Sequence, residues 1–136
     1  MTTPPAGFIA IEDPGPFAHH VGPFYISEGG DDGAVLGLYA ADEHANRAGA
    51  VHGGLLATLC DVAFGHAVRA QADDDISGAV TVSLTTDYLA AAQPGDWLEA
   101  RATVERLGGR LAFVDCAVTA DGRDVVRARA VFSVLE

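Results

Sequence analysis

The sequence predicts an α+β domain in which an antiparallel sheet of about six strands wraps around one long helix. The segment from residue 53 to about residue 70 is apolar on nearly every side, which is typical of a helix covered almost all round. The segments on either side of it are rich in β-branched residues and are separated by turn-forming glycine, proline and aspartate. One sheet cannot enclose such a helix fully, so we expect a second copy of the chain to cover the rest.

The length and composition indicate one folded domain. A chain of 136 residues, 49% hydrophobic and 20% charged, is long enough to bury a single core and is not typical of a disordered protein. Four of its six prolines lie within the first 16 residues. We therefore predict an irregular N-terminal arm over 1–16, followed by one domain over 17–136.

The charge and the cysteines exclude several classes of protein. Nineteen acidic residues against eight basic ones give a net charge of −11, which repels nucleic acid and anionic lipid, so we expect neither as a partner. No basic leader and no run of about 18 apolar residues is present, which predicts a cytoplasmic protein. Cys60 and Cys116 lie in apolar segments and are expected to be reduced and buried.

The strands can be predicted in chain order. Residues 21–28 and 34–40 flank the turn-forming run GGDDG and are expected to form a hairpin. After the helix, GAVTVSLTTDYL and WLEARATVERL are separated by a break at 93–96. LAFVDCAVTA and DVVRARAVFSVL follow, after a two-glycine turn of the primed type at 107–110 and an Asp-Gly turn. The second half is therefore predicted to be a meander of four strands.

Asp61 lies near the middle of the apolar helix, with neither Lys nor Arg three or four residues away. It is either a structural residue, solvated at a gap in the sheet or accepting hydrogen bonds from another strand, or it is held beside a substrate, where it would act as a base. The helix start, His52-Gly53-Gly54, favours the second alternative. Glycines there allow a substrate oxygen to approach unpaired backbone N–H groups, as in an oxyanion hole, although a tight turn alone would also explain them.

Distance makes a dimer necessary for this hypothesis. Gly53 and Asp61 are eight residues apart, or about 12 Å along one helix, which is too far for both to act on one carbonyl group. In a two-fold dimer with antiparallel helices, the start of one helix lies near the middle of the other. We therefore expect a homodimer in which each site combines Gly53 of one chain with Asp61 of the other.

The residues around the helix start resemble those of a known family. Asn46-Arg47, the spacer AGAV, His52-Gly53-Gly54 and an aspartate nine residues after the histidine resemble the hotdog-fold acyl-CoA thioesterases of the PaaI-like, 4-hydroxybenzoyl-CoA thioesterase superfamily. The resemblance extends from about Val21 to the last strand and leaves the first 16 residues out. It implies hydrolysis of an acyl-CoA to a free acid and CoA by a homodimer, with dimers often pairing into homotetramers.

The resemblance also implies roles for individual residues. The N–H of Gly53 would polarise the thioester carbonyl, with Asn46 assisting. Asp61 of the partner subunit would activate water as a general base or attack as a nucleophile, and Thr81 would place a hydroxyl near the attacking water. His52, and Gly54 beside it, would shape the turn and the substrate pocket. Taken alone, Asn46 is equally well read as a turn residue and Thr81 as a strand former with an outward hydroxyl.

CoA phosphates need positive charge, and the second half of the sequence offers a candidate phosphate-binding site. Arg106 and Arg110 flank the Gly108-Gly109 hairpin, and Arg123, Arg127 and Arg129 follow along the last strand. A cluster of these arginines would hold the nucleotide end of CoA, the alternative being solvated arginines on the sheet surface. No cofactor is expected. His19, His20, His44 and His66 lack metal-ligand spacing, so no metal is expected either.

Two other functions remain open. The first is a hotdog dehydratase or hydratase acting on a 3-hydroxyacyl thioester, with His52 and Asp61 as its catalytic pair. The proline-rich helix entry of the dehydratases and the Asp-to-His loop of the hydratases are both missing from the sequence. The second is a non-catalytic acyl-CoA binding protein. An unpaired carboxylate near a carbonyl gives such a protein no advantage, which favours the enzyme.

Overall fold

The computed structural model describes residues 3–27, 34–72 and 76–136. Within these ranges there are two α-helices, a short 3-10 helix and seven β-strands. In chain order they are β1 (Phe8–Ala10), α1 (Pro16–Val21), β2 (Tyr25–Ser27), β3 (Val35–Tyr39), the 3-10 helix (Asp42–His44), α2 (Gly53–Ala72), β4 (Gly78–Tyr88), β5 (Trp97–Leu107), β6 (Leu111–Ala120) and β7 (Arg123–Leu135).

All seven strands form one antiparallel sheet in the order β1-β2-β3-β5-β6-β7-β4. The sheet curls around α2, which contacts β3, β4, β5, β6 and β7. This confirms the predicted fold class, with one strand more than the six expected. Among the described residues, no helix combines the length and the hydropathy that crossing a bilayer would need.

Helix α2 buries side chains on several of its faces, as its composition predicts. The buried residues are Leu55, Leu56, Leu59, Cys60, Ala63, Phe64, Val68 and Ala72. Both cysteines are buried and free, so the prediction of reduced core thiols is confirmed. A hydrogen bond with Cys60, together with burial, raises the pKa of the Cys116 thiol far above its usual range, which leaves that thiol protonated and unreactive.

The N-terminal half differs from the prediction in two places. Part of the arm, predicted to be irregular, forms β1 and pairs with β2. The first predicted strand is shorter than 21–28, because Val21 ends α1 and β2 begins only at Tyr25. Strands β2 and β3 pair antiparallel, as a hairpin requires, while the GGDDG run between them lies outside the described residues.

The predicted four-strand meander is wrong for β4. Strands β5, β6 and β7 do form a meander, but β4 pairs with β7 at the edge of the sheet. Strand β5 is already bonded to β3 on one side and β6 on the other, so it has no free edge for β4. Residues 89–96 are therefore a crossover and not a hairpin turn.

Of the two predicted tight turns, one is confirmed and the other is wrong. Asp121 (φ 47°) and Gly122 (φ 84°) both adopt the positive φ of a primed hairpin turn, as Asp-Gly predicts. Gly108 and Gly109 do not have positive φ, so the primed turn predicted at 107–110 is wrong. That turn instead closes through the N–H of Gly108, which donates to the Leu111 carbonyl at 2.8 Å.

Candidate active site

The Asn46 side chain builds the turn that leads into α2. Its Oδ1 accepts hydrogen bonds from the N–H groups of Ala48 (2.9 Å) and Ala50 (3.1 Å). Just after the turn, the N–H of Val51 donates to the Ala92 carbonyl at 2.8 Å, which ties this segment to the chain before β5. The turn thus uses Oδ1 of Asn46, while Nδ2 has no acceptor within the described ranges.

His52 caps the start of α2. A helix start leaves four N–H groups without intrahelical partners, and three of them find acceptors here. The N–H of His52 donates to the His44 carbonyl (2.8 Å), and that of Leu55 to the His52 carbonyl (3.0 Å). The N–H of Gly54 donates to Nδ1 of His52 at 2.8 Å. The fourth, on Gly53, has no acceptor in the described part of the chain and lies at the positive end of the helix dipole.

Gly53 also lines a cavity of about 310 Å³ at the helix start. The other lining residues are mostly small and aliphatic: Asn46, Ala50, Val51, Leu56, Tyr88, Leu89, Ala90, Ala91 and Ala92. None of these side chains is charged. The cavity therefore suits an uncharged, largely apolar group placed next to the free N–H.

Tyr88, at the end of β4, lies directly against Gly53. Its hydroxyl donates a hydrogen bond to the Gly53 carbonyl at 2.7 Å. A Cβ atom added to Gly53 would lie 3.2 to 3.3 Å from the Tyr88 ring, so the absence of a side chain permits this contact. Desolvation, with a smaller contribution from Cys60, raises the pKa of Tyr88 above its usual value, so the hydroxyl keeps its proton at neutral pH. Tyr88 is not among the site residues predicted from the sequence.

Asp61 is held by the same strand. The Thr81 hydroxyl donates to Oδ1 of Asp61 at 2.6 Å, a short bond typical of a charged acceptor. Asp61 is half-buried and Thr81 is exposed. The structure therefore places Asp61 and Thr81 side by side, and it explains the absence of a helical partner for Asp61, because the partner comes from β4.

Gly53 and Asp61 are not brought together within one chain. Both belong to α2, where eight residues correspond to about 12 Å along the axis. Asp61 lies on a partly exposed stripe of α2 that includes Thr58, Val62 and Gly65. Apart from its chain neighbours and the backbone of its own helix, a Cβ added to Gly65 would meet no described atom within 4 Å. The sheet covers this stripe of the helix only in part.

The Gly108-Gly109 hairpin lies at the opposite end of α2 from His52, Gly53 and Gly54. It lines a cavity of about 270 Å³ together with Gln71 and Ala72 from the last turn of the helix. The two ends of α2 are about 28 Å apart at the standard rise. Within one chain, therefore, Arg106, Gly108, Gly109 and Arg110 cannot share a small-molecule site with Gly53.

The predicted cluster of five arginines does not form within one chain. Arg123 lies at the far end of β7 and forms an ion pair with Asp96 at 2.9 Å. Arg127 and Arg129 line a hollow of about 250 Å³, whose other lining residues include Asp87 and Asp115. Arg123 begins β7 while the Gly108-Gly109 hairpin lies beside the other end of that strand, and Arg127 and Arg129 stand opposite Asp87 and Asp115 in the sheet. Only Arg106 and Arg110 remain near the two-glycine hairpin.

Comparison with known proteins identifies the family of this chain. The family model of the thioesterase superfamily matches residues 48–127. The protein PA0474 of Pseudomonas aeruginosa, an esterase by name, is 36% identical over 132 residues, which cover 97% of this chain and 98% of that protein. The chain belongs to the thioesterase superfamily. Membership in this superfamily supports hydrolysis of an ester or thioester as its chemistry.

Solved thioesterase-superfamily relatives share the hotdog fold. The phenylacetic acid degradation protein PaaI of Thermus thermophilus, solved as a point mutant, superposes with a TM-score of 0.78 at 27% identity, covering 89% of this chain and all (100%) of that one. The BH2602 protein of Bacillus halodurans, solved with CoA, gives a TM-score of 0.69 at 32% identity over 74% of this chain and 70% of that one. The PaaI-like resemblance is confirmed.

The described residues include no group of three or more His, Cys, Asp or Glu side chains arranged to hold a metal ion.

His44 has a structural role. It is buried, Nδ1 accepts the N–H of Ala41 at 2.9 Å, and Nε2 bonds the Val21 carbonyl at 2.6 Å. With Nε2 protonated, this ring satisfies both groups and ties the end of α1 to the 3-10 helix.

Thr81→Val is expected to lower kcat by about 10- to 100-fold, with a smaller change in KM. Valine keeps the shape of threonine but removes the donor to Asp61, and a hydrogen bond to a charged group contributes about 1.5–3 kcal/mol. Steady-state rates of thioester hydrolysis measure the effect. Thr81→Ser keeps the hydroxyl and is the matched control. A valine variant as active as the serine variant would show that this hydroxyl does not support the reaction.

Proposed function

We propose that this thioesterase-superfamily protein hydrolyses an acyl-CoA thioester to a free acid and CoA at a site shared by two subunits. The free N–H of Gly53, next to an apolar cavity, carries the proposal, because it is the group that a thioester oxygen would accept from. Asp61 of the partner subunit supplies the carboxylate, and Nδ2 of Asn46 assists at the cavity. The B. halodurans relative solved with CoA supports CoA as the thiol.

Two routes use these groups. In the first, Asp61 takes a proton from water as the water oxygen bonds to the thioester carbon, and the negative charge on the carbonyl oxygen is stabilised by the Gly53 N–H. The carbon–sulfur bond then breaks and the CoA thiolate recovers the proton. In the second, an Asp61 oxygen attacks the carbon directly, CoA leaves, and water hydrolyses the resulting anhydride. The Gly53 N–H serves the same purpose in both.

The uncovered part of the chain supports a dimer built around α2. The stripe containing Asp61 lies beside β4, which is an edge strand of the sheet formed by the described residues. Val80 and Val82 on this strand are 53% and 61% exposed, although both are apolar. A partner that pairs with this edge and sets its helix antiparallel would cover the stripe and bring the two halves of each site together. By the family resemblance, we also propose that two dimers associate into a tetramer.

The same arrangement gives the Gly108-Gly109 hairpin a role. The hairpin lies near the C-terminal end of its own α2, so an antiparallel partner would place it near the N-terminal end of the opposite helix. Arg106 and Arg110 of the partner subunit would then be available to the CoA phosphates. The CoA site, like the catalytic pair, would be built from two chains.

A mixing experiment tests the shared site. Gly53→Pro removes the N–H donor and Asp61→Asn removes the carboxylate, so each variant disables one half of the site. When the two variants are co-expressed, we expect about a quarter of the wild-type rate of thiol release, because half of the randomly paired dimers are mixed and each mixed dimer has one intact site out of two. Benzoyl-, phenylacetyl-, octanoyl- and palmitoyl-CoA serve as the substrate panel.

The controls are the two variants expressed separately, each of which is expected to stay nearly inactive. If both lose activity alone and the mixture recovers none, each chain would hold a complete site of its own. That result would exclude the shared site. If the wild-type protein released thiol from none of the four acyl-CoA substrates, the proposed substrate class would be wrong.

A further inference from the structure

The start of α2 contains two glycines, whose backbone must be fixed if the Gly53 N–H is to keep its direction. Gly53 and Gly54 are adjacent, and glycine has the greatest backbone freedom of any residue. A donor that rotates away from the cavity contributes nothing to a developing negative charge, since such stabilisation depends on preorganised geometry. The hydrogen bonds around these two residues therefore decide whether the donor is usable.

The peptide group between His52 and Gly53 is held by the helix itself. The peptide that carries the Gly53 N–H also carries the His52 carbonyl, and these two groups point in opposite directions in a trans peptide. The His52 carbonyl accepts from the N–H groups of Leu55 (3.0 Å) and Leu56 (3.2 Å). Because the carbonyl is turned into the helix, the N–H of Gly53 is turned out of it.

The next peptide group, between Gly53 and Gly54, is held at both ends from outside the helix backbone. Its N–H donates to Nδ1 of His52 at 2.8 Å. Its carbonyl accepts the Tyr88 hydroxyl at 2.7 Å. The Tyr88 ring also lies against the open face of Gly53, within 3.2 to 3.3 Å of where a side chain would begin. Tyr88 thus adds a contact from the sheet to a carbonyl that lies in the first turn of α2.

We propose that Tyr88 is a positioning residue for the Gly53 N–H, acting by holding the adjacent carbonyl and covering the glycine with its ring. The inference rests on the proposed function, in which that N–H stabilises the oxyanion. Tyr88 also lines the cavity beside Gly53, so its ring forms part of the wall around the acyl group. The hydroxyl and the ring therefore have separable effects, on turnover and on substrate binding.

Tyr88→Phe tests the hydroxyl alone. We expect kcat to fall by about three- to tenfold, the range of one neutral hydrogen bond, while KM changes by less than about twofold because the ring stays in the cavity wall. Tyr88→Leu removes the ring as well and is expected to raise KM in addition. Thiol release from the best acyl-CoA substrate gives both constants, and thermal unfolding shows whether each variant is folded.

Tyr39→Phe is the matched control. The Tyr39 hydroxyl donates to the Thr3 carbonyl at 3.1 Å, in an aromatic cluster with Trp97 away from the cavity. Its removal makes the same chemical change and is expected to leave kcat unchanged. If Tyr88→Phe were to keep kcat within twofold of the wild type, the positioning role would be refuted, whatever its effect on KM.

A double variant separates this inference from the proposed function. If Tyr88 acts through the Gly53 donor, adding Tyr88→Phe to Gly53→Pro should lower kcat by less than about twofold further, because the donor is already gone. A full additional three- to tenfold loss would show that Tyr88 acts elsewhere. If Gly53→Pro alone leaves turnover unchanged, the proposed oxyanion donor itself is wrong. If Gly53→Pro is impaired and Tyr88→Phe is not, only the positioning role of Tyr88 fails.

Discussion

Asp61→Asn is expected to lower kcat by about 10²- to 10⁴-fold, the range that general-base catalysis supplies. Asparagine has nearly the size of aspartate, and its side-chain oxygen can still accept the Thr81 hydroxyl, so the local contact is kept. The amide neither takes a proton from water nor attacks a thioester. KM should change much less than kcat, because the apolar cavity is untouched. Thiol release under steady-state conditions measures both.

Asp87→Asn is the matched control for this prediction. Asp87 is an exposed aspartate on β4 that lines the hollow beside Arg127 and Arg129, and its replacement changes the net charge equally. We expect it to retain the wild-type rate. Unchanged turnover in Asp61→Asn would refute the mechanism in both of its forms. If the wild-type protein and Asp61→Asn both bind acyl-CoA and neither releases thiol, the alternative of a non-catalytic binder is favoured.

The hydrogen bonds of His52 and Asp61 argue against the alternative function, a hydratase or dehydratase. That function needs a histidine paired with a carboxylate, and His52 and Asp61 are the available pair. Within one chain, Nδ1 of His52 is occupied by the N–H of Gly54. Oδ1 of Asp61 is bonded to the Thr81 hydroxyl. His52 is thus committed to capping the helix, and addition of water to an enoyl-CoA is expected to be undetectable beside thiol release.

Local patterns were enough to predict most of the fold. Helix α2 and strands β5, β6 and β7 each follow from residue types within their own segments, because burial on all sides or on one face imposes a pattern that the sequence records. The position of β4 could not be predicted in this way. It depends on which edges the other strands leave free, which is a property of the whole sheet.

The role of Thr81 follows from the family resemblance, whereas the contact of Tyr88 with α2 could not be predicted from local patterns. The two residues are seven positions apart, and regular alternation along a strand would put them on opposite faces of the sheet. The structure has a β-bulge between Thr81 and Ser83, which inserts one extra residue and shifts the alternation. Both side chains therefore reach α2. An aromatic residue at the end of this strand was visible in the sequence, but the bulge was not.

Strand β4 consequently supports both halves of the proposed site. Its Thr81 hydroxyl binds Asp61 in the middle of α2, and its Tyr88 hydroxyl binds the Gly53 carbonyl at the start of that helix. In an antiparallel dimer, the two groups that meet at one thioester belong to different chains, and each is held by the edge strand of its own subunit. Dimer contacts along β4 would therefore affect both groups at once.

Gly53→Pro is expected to lower kcat by about 10²- to 10³-fold relative to Gly53→Ala, the loss found when one oxyanion donor is removed. Proline is favoured at the first position of a helix, and the residue before it prefers the extended conformation typical of a helix cap such as His52. The Gly53 N–H has no acceptor among the described residues, so its removal breaks no hydrogen bond seen within the chain.

The alanine variant is needed because both replacements add a Cβ atom, which would lie 3.2 to 3.3 Å from the Tyr88 ring. Alanine crowds the ring in the same way but keeps the N–H, so the ratio of the two kcat values isolates the donor from the crowding. Both variants should unfold at similar temperatures, since the helix start is compatible with either residue. If the proline variant turned over within threefold of the alanine variant, the Gly53 N–H would not stabilise the transition state, and another donor would have to be sought in the cavity, beginning with Nδ2 of Asn46.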